Sequence, residues 1–479
     1  MHRYYCNKDC QKKEWPTHKF RHKALKENPS LALQIMGLGS IDISQSPECD
    51  ERDENGVTKL MVSACEGNFE NAVSLLKRGA DSSLTEHQGL TALALASFFG
   101  HVNIVQLLVE YRPSCLQDAH ERSCLCLAAQ NGNLNVVKYL ASVGGDVLLQ
   151  SALDDGSSCL YLAAQNGHLL VVKLLAQVAG KGLLLKTRKD KTSCLYIASE
   201  RGHLNIVKAL VELGGKQLVL LADDNKNTCL GTACRKGHLE IARYLAEAGG
   251  DALVSMVSSR GSSCLWDASF EGQIEVVTFL LRSYSALLLH RADANGCSCL
   301  YAAAQQGNLE VVKMLAAAGG DAIVHKATLG GCSALFIAAA HGRAEVVKFL
   351  AEIGGNALLF KRMHDGSSCL YAAAQHGHLQ IVQLLAAMGG DELLHAGMSD
   401  GTTCLFIACA RGHLEVVKAL AQAGGEALVR RVDVRGLSCL AAAELCGART
   451  VADYLRSEFG TILAQQAAGG RGGPLNANQ

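Results

Sequence analysis

The sequence predicts a mainly α fold, a helix-turn-helix repeat solenoid, and three observations carry the prediction. A hydroxyl residue ahead of an apolar pair returns at Ser123, Ser158, Ser193, Thr228, Ser263, Ser298, Ser333, Ser368, Thr403 and Ser438, a step of 35 residues, with earlier copies at Thr58 and Thr91. Within a step the apolar residues follow helical spacing, as at Leu169, Val172 and Leu175, which places them on one face of a helix. Glycine punctuates the pattern at two fixed places, singly as at Gly167 and in pairs as at Gly144-Gly145 and Gly354-Gly355. A fixed period of this length marks a stacked array in which each copy buries its apolar face on its neighbours.

Composition narrows the function classes. Lys+Arg and Asp+Glu each number 45 in 479 residues, so the net charge is zero, which argues against a general electrostatic grip on nucleic acid or on an anionic membrane. No apolar run reaches the roughly 18 to 20 residues that cross a bilayer. The N-terminus is basic and His-rich and carries no apolar signal core. The expectation is an intracellular chain, in cytoplasm or nucleus. Nine of the twenty cysteines (Cys124, Cys159, Cys194, Cys229, Cys264, Cys299, Cys369, Cys404 and Cys439) share one register position. Stacked equivalents sit about 8 to 10 Å apart, beyond the roughly 7 Å that a disulfide spans between Cα atoms. They read as small buried apolar residues in a reducing compartment, with a redox or metal role as the alternative.

The elements follow in chain order. Residues 1–26 hold Cys6, Cys10, His18 and His22, spaced Cys-x3-Cys-x7-His-x3-His. Thiolate and imidazole at such spacing suit tetrahedral zinc, and so short a segment needs a metal to fold. Residues 27–54 read as a linker, with one short apolar helix at Leu31 to Ile35 and an acidic end that covers the first repeat. Residues 55–460 hold about twelve copies. In each, a hydroxyl N-cap such as Ser158 starts a two-turn helix that ends at Gly167, and a longer second helix follows. The Gly-Gly pair is expected to stop that helix, ahead of an apolar pair such as Leu358-Leu359 and a polar tip. At 8 to 10 Å per copy the array makes a curved rod on the order of 100 Å long. Glu444, Arg449, Asp453, Arg456 and Glu458 give the last copy the polar face of a C-terminal cap. Residues 461–479, rich in Gly, Ala, Gln and Asn, read as a disordered tail.

Two resemblances extend this reading. The stretch Tyr-Cys-x3-Cys-Gln-x3-Trp-x2-His-Lys-x2-His resembles the C-terminal half of a MYND zinc finger. In that family eight ligands hold two zincs, and the last is usually Cys, where this chain has His22. The resemblance implies Zn2+ on Cys6, Cys10, His18 and His22, and a proline-rich peptide against Gln11 and Trp15. The two upstream cysteine pairs of the family are absent, and Met1 starts inside the motif, as in a truncated form of a longer protein. One zinc closed by all four ligands is an alternative, although the x7 gap is shorter than the roughly 12 of a Cys2His2 finger; binding no metal is another. Residues 55–460 are similar to the ankyrin repeat family, most plainly at Gly89-Leu-Thr-Ala-Leu and Gly100-His-Val-Asn-Ile-Val-Gln-Leu-Leu. From the third copy on, Cys replaces the usual Pro, an aromatic often replaces the usual His, and the period is 35 where the family has about 33. Two residues are therefore added near the loop, room for an extra helical turn at the Leu-Leu pair.

Candidate chemistry is sparse. His101, His168, His203, His238, His378 and His413 all follow the Gly turn, and their repetition argues for turn and packing against metal or acid-base work. The ladder of Tyr161, Tyr196, Trp266, Tyr301, Phe336, Tyr371 and Phe406 either fills space between copies or anchors a partner, since aromatics concentrate at interface hot spots. Loop tips vary from copy to copy far more than helices do. Nothing resembles a phosphate loop, a nucleophile elbow or a carboxylate pair in a cleft. The expectation is a non-enzymatic scaffold that binds other proteins, with no small-molecule substrate, nucleic acid or membrane. The rivals are a fragment of a larger enzyme or regulator in which these modules target, and a nucleic-acid binder through the basic N-terminus.

Overall fold

The computed structural model describes residues 49–117 and 124–469, with side chains through Leu463. The chain divides into two compact units, one running to Cys229 with Glu247–Gly250, the other comprising Leu230–Ala246 and Asp251 onward. Among the described residues the structure is helical, with isolated antiparallel bridges and no longer strand. First helices begin at Lys59, at Ala92 and then every 35 residues from Cys124 to Cys439. Each of the observed hydroxyl caps works alike: the side chain of Ser158 accepts from the Tyr161 amide at 3.2 Å and that of Ser368 from the Tyr371 amide at 3.1 Å, a cap that contributes about 1 kcal/mol.

The second helix ends at the Gly-Gly pair as expected, and a further short helical segment follows at once: Leu134–Val143 ends at Gly144 ahead of Gly145–Leu149, and in Ala344–Leu359 the break is a kink at Gly355, which leaves helical geometry at φ 53° and ψ −159°. The two glycines answer different constraints. A Cβ on Gly354 would lie 2.5 Å from Leu358 Cδ2, whereas the space around Gly355 is open and its backbone angles exclude other residues. Beyond the bend a third helical turn buries the apolar pair, with Leu358 at 1% and Leu359 at 2% exposure. Among the 35-residue copies, the one that opens at Ser263 has neither glycine. There the kink moves to Tyr284, at φ −137° and ψ 22°, which holds the register of a first glycine (284 − 35 = 249). The N-caps of the first two copies, Thr58 and Thr91, are only 33 residues apart (91 − 58), and the first copy ends without a third turn, at Lys77. The two added residues of the later copies supply that turn.

The repeated cysteine belongs to it. Each is buried, and from Cys159 on its Sγ–H donates to the carbonyl at the end of the third turn ten residues earlier: Cys194 to Leu184 at 3.5 Å, Cys369 to Leu359 at 3.5 Å, Cys404 to Leu394 at 3.4 Å. A proline at this first helical position has no such donor; Ala334 is the copy that follows a third turn without the cysteine. Burial pushes the Cys194, Cys369 and Cys404 thiols up to about 12.

Two boundaries shift. Residues 50–54, placed in the linker, form the first tip: Arg52 bridges to Thr58, and Asp53 Oδ1 accepts from the amides of Asn55 and Val57 at 2.8 Å. Glu51 reaches the buried Lys59 Nζ at 3.5 Å, so the acidic run does cover the first repeat. At the other end the helix Arg449–Gly469 crosses the boundary drawn at 460. Cys6, Cys10, Gln11, Trp15, His18 and His22 lie outside the described residues.

Candidate protein-interaction surface

What the surface can do depends on which polar groups the framework uses up. From the second copy on, the residue after the Gly turn caps the second helix by position, yet its side chain makes no cap bond. It reaches back to the preceding copy. His168 Nε2 lies 2.9 Å from the Gln130 carbonyl, His378 Nε2 3.1 Å from that of Ala340 and His413 Nε2 3.0 Å from that of Gln375. A carbonyl only accepts, so the bond holds a proton on Nε2. Where the histidine is replaced, Asn133, Gln273, Asn308 and Arg343 make the same reach. The histidines are therefore staples between copies, which supports the packing reading. Among the described residues no cluster of three or more His, Cys, Asp or Glu could hold a metal.

A second ladder runs beneath the tips. The basic residue after the third turn donates to the carbonyl ending the preceding third turn: Arg291 to Ser255 at 2.6 Å, Lys326 to His290 at 2.5 Å, Arg431 to His395 at 3.1 Å. These cations sit where a helix C-terminus favours positive charge. The tips themselves are zipped by main-chain bonds, with the Ser399 amide donating to Asp365 O at 3.0 Å and the Val434 amide to Asp400 O at 2.9 Å. Tip carboxylates are turned inward. Asp190 Oδ1 accepts from Thr192 N and Oγ1, and Asp365 from the amide and hydroxyl of Ser367, which holds the Asp365 carboxyl below its ordinary range.

The aromatic ladder lies under the tip of the following copy. Tyr301 OH is 3.9 Å from Cys332 Sγ, Tyr371 OH bonds to Thr402, and the Arg188 guanidinium covers the Tyr161 ring at 5.3 Å while reaching its hydroxyl at 3.5 Å. The contacts span 27 to 31 residues, so the rings fill space between copies; Tyr161 is 4% exposed, while its equivalents from Tyr196 on are half-buried and keep an open edge. Trp266 stacks on Phe270 with centroids 5.2 Å apart, and its indole Nε1 is buried with no acceptor. Beside it Asp267 is buried, which pushes its carboxyl up to about 6 against the pull of Arg235 at 3.6 Å. The sequence reading missed this pair, because an acid at that position has no counterpart in other copies.

Exposed large apolar side chains include two sets of particular interest. Tips present Leu329 at 73% and Val434 at 72% exposure; second helices present a row at one register position, Val143, Val178 and Leu213 in the first unit, Ile353 and Met388 in the second. No described helix is long and apolar enough to cross a membrane.

Comparison with known proteins agrees with this geometry. A family model of ankyrin repeats, in three copies, matches overlapping stretches from residue 22 to residue 465. The chain is similar to the ankyrin and armadillo repeat-containing protein of Mus musculus, 30% identical over 142 residues, covering 26% of this chain and 10% of that protein. It is also similar to ankyrin repeat and SAM domain-containing protein 6 of Mus musculus, 39% identical over 92 residues, or 18% of this chain and 10% of that one. The alignments thus span about a tenth of these relatives' length. The crystal structure of the human ASB11 ankyrin repeat domain matches 49% of this chain and 99% of its own at 27% identity, with a TM-score of 0.42. With the repeat geometry and the family match covering most of its length, the chain belongs to the ankyrin repeat family.

Proposed function

We propose that the chain is a non-enzymatic scaffold that binds partner proteins through its tips and the open edges of its first helices. One observation carries this reading: the groups that repeat are spent on the framework, while the groups that differ between copies, such as Leu329, Val434 and Trp266, are left exposed or unpaired. Function on a repeat scaffold resides in such variable surface residues. The described cysteines form no disulfide, which fits a reducing, intracellular setting. The test is co-purification from cells with the full chain and with a Leu329→Ala, Phe406→Ala, Val434→Ala variant of unchanged unfolding midpoint. The reading expects the variant to lose proteins that the parent retains; an unchanged set sinks it.

The N-terminal segment extends the proposal. Two thiols and two imidazoles form a donor set suited to zinc, so Cys6, Cys10, His18 and His22 would hold Zn2+ and present Gln11 and Trp15 to a proline-rich peptide. Elemental analysis of the purified chain tests it: about one zinc, lost in Cys6→Ser and His18→Ala, supports a compact half-finger, and no zinc removes the module.

A further inference from the structure

Resting on the scaffold reading above, we propose that three consecutive first helices, Ala334–Ala340, Cys369–Gln375 and Cys404–Arg411, form a docking lane for an extended acidic peptide, whose carboxylates meet His341, His376 and Arg411. All three helices lie in the second unit, and each carries the same order of surface groups. A half-buried ring, Phe336, Tyr371 or Phe406, is followed one turn later on the same face by Ala340, Gln375 or Ala410. The cation comes at the helix end, where His341, His376 and Arg411 are exposed. Leu445, 73% exposed, continues the row of Ala410 into the last copy. Apolar groups and cations therefore run side by side across the copies.

The fold does not require these cations. Helix C-termini favour positive charge, yet Glu271 and Gln306 end the equivalent helices Cys264–Glu271 and Cys299–Gln306 of the same unit, with Lys236 beyond them. Around His376 stand His378, its ring centroid 6.1 Å away, His341 on the preceding copy, and Arg411 and His413 on the following one; no carboxylate is among these described neighbours. Partial burial and then these neighbours hold the His376 imidazole below its ordinary value. His378, His413 and Arg343 are engaged with the carbonyls of Ala340, Gln375 and Gln305. Glu345 and Glu415 belong to the first turns of second helices, and Lys418 holds Glu415 at 2.8 Å. The spacing selects the ligand. Equivalent residues of stacked copies sit about 8 to 10 Å apart. An extended peptide with three residues per turn rises about 3.1 Å per residue, so residues i, i+3 and i+6 share one side about 9 Å apart. Acids at that interval meet the three cations in register, with apolar residues between them over the rings. One strand of DNA carries a phosphate about every 3.4 Å, which leaves most of its charges unmatched.

The test selects binders to the immobilised full chain from a random dodecapeptide library at pH 5.5, then measures the enriched peptides in solution by fluorescence polarisation. The expected result is Asp or Glu at i, i+3 and i+6 with apolar residues between. A carboxylate beside an imidazole raises its pKa by about one unit or more, so binding should be about tenfold tighter at pH 5.5 than at pH 8. That gain is present below the free imidazole's value and is lost as pH rises through the bound one. A His341→Gln, His376→Gln, Arg411→Gln variant of unchanged unfolding midpoint should bind about tenfold more weakly, and Lys236→Gln as the parent does. No enrichment, enriched peptides without acids, equal binding by the triple variant, or tighter binding of a single-stranded oligonucleotide overturns the proposal. Such a failure leaves the scaffold reading standing as long as the Leu329→Ala, Phe406→Ala, Val434→Ala variant still loses cellular proteins; if it loses none, the scaffold reading itself falls.

Discussion

Replacing Gly355 separates the two demands that the Gly-Gly pair meets. Its φ of 53° and ψ of −159° lie outside the left-handed helical region, in territory that is essentially glycine-only. A side chain there costs about 1–3 kcal/mol, and nothing nearby obstructs it. The limit on the other side is undocking of the third turn, which buries Leu358 and Leu359 at about 1.5–3 kcal/mol each. Relaxation towards the geometry of Tyr284 keeps the cost near the strain value. Asparagine, the usual rescue for left-handed positions, offers nothing here, so Gly355→Asn should be no better than Gly355→Ala. At the helix cap Gly412, with φ 78° and ψ 19°, Asn should cost less than Ala, because short polar side chains tolerate that region. Urea unfolding followed by far-UV circular dichroism reads all four. Wild-type stability in Gly355→Asn would refute the reasoning.

Three further outcomes follow from the same framework. Cys369→Ala and Cys369→Pro should each lose about 1–3 kcal/mol, because the buried Leu359 carbonyl forfeits its donor at 3.5 Å; unchanged unfolding would make the thiol a mere space-filler. His413→Leu should cost about 1–3 kcal/mol, while His413→Gln recovers part of it, as Gln273 already does at 3.1 Å from Arg235 O; equal losses would argue against the staple. Asp267 has its carboxyl raised from 3.8 to about 6, so the folded state holds a proton that the unfolded chain has released. That contribution is full below pH 4 and is lost as pH rises through 6. At 1.36 kcal/mol per unit the swing is about 3 kcal/mol, and Asp267→Asn should remove it from urea titrations between pH 4 and pH 7.

The legible part of this protein is what the repetition encodes. Ser158, Gly167 and the apolar stripe fix two helices from local chemistry alone, and their recurrence fixes the stacking. The third turn was only half legible. Gly-Gly reads as a terminator, which the break at Gly355 bears out, but the reading does not show that Gly354 makes room for Leu358 in the turn that follows. The cysteine looked like packing because an S–H bond to a carbonyl ten residues back depends on where that turn lands. Pairings across copies, such as Asp267 with Arg235, escape a register comparison because they join unlike positions.

The scaffold claim stands or falls on where a partner touches. A photoreactive residue placed in living cells at Leu329 or Val434, on the tips, is compared with one at Val178 or Ile353, on the second helices, all four exposed. The account predicts protein adducts from the tip positions and few from the helix row. Adducts confined to Val178 and Ile353 would contradict it and move the interface to the second-helix row.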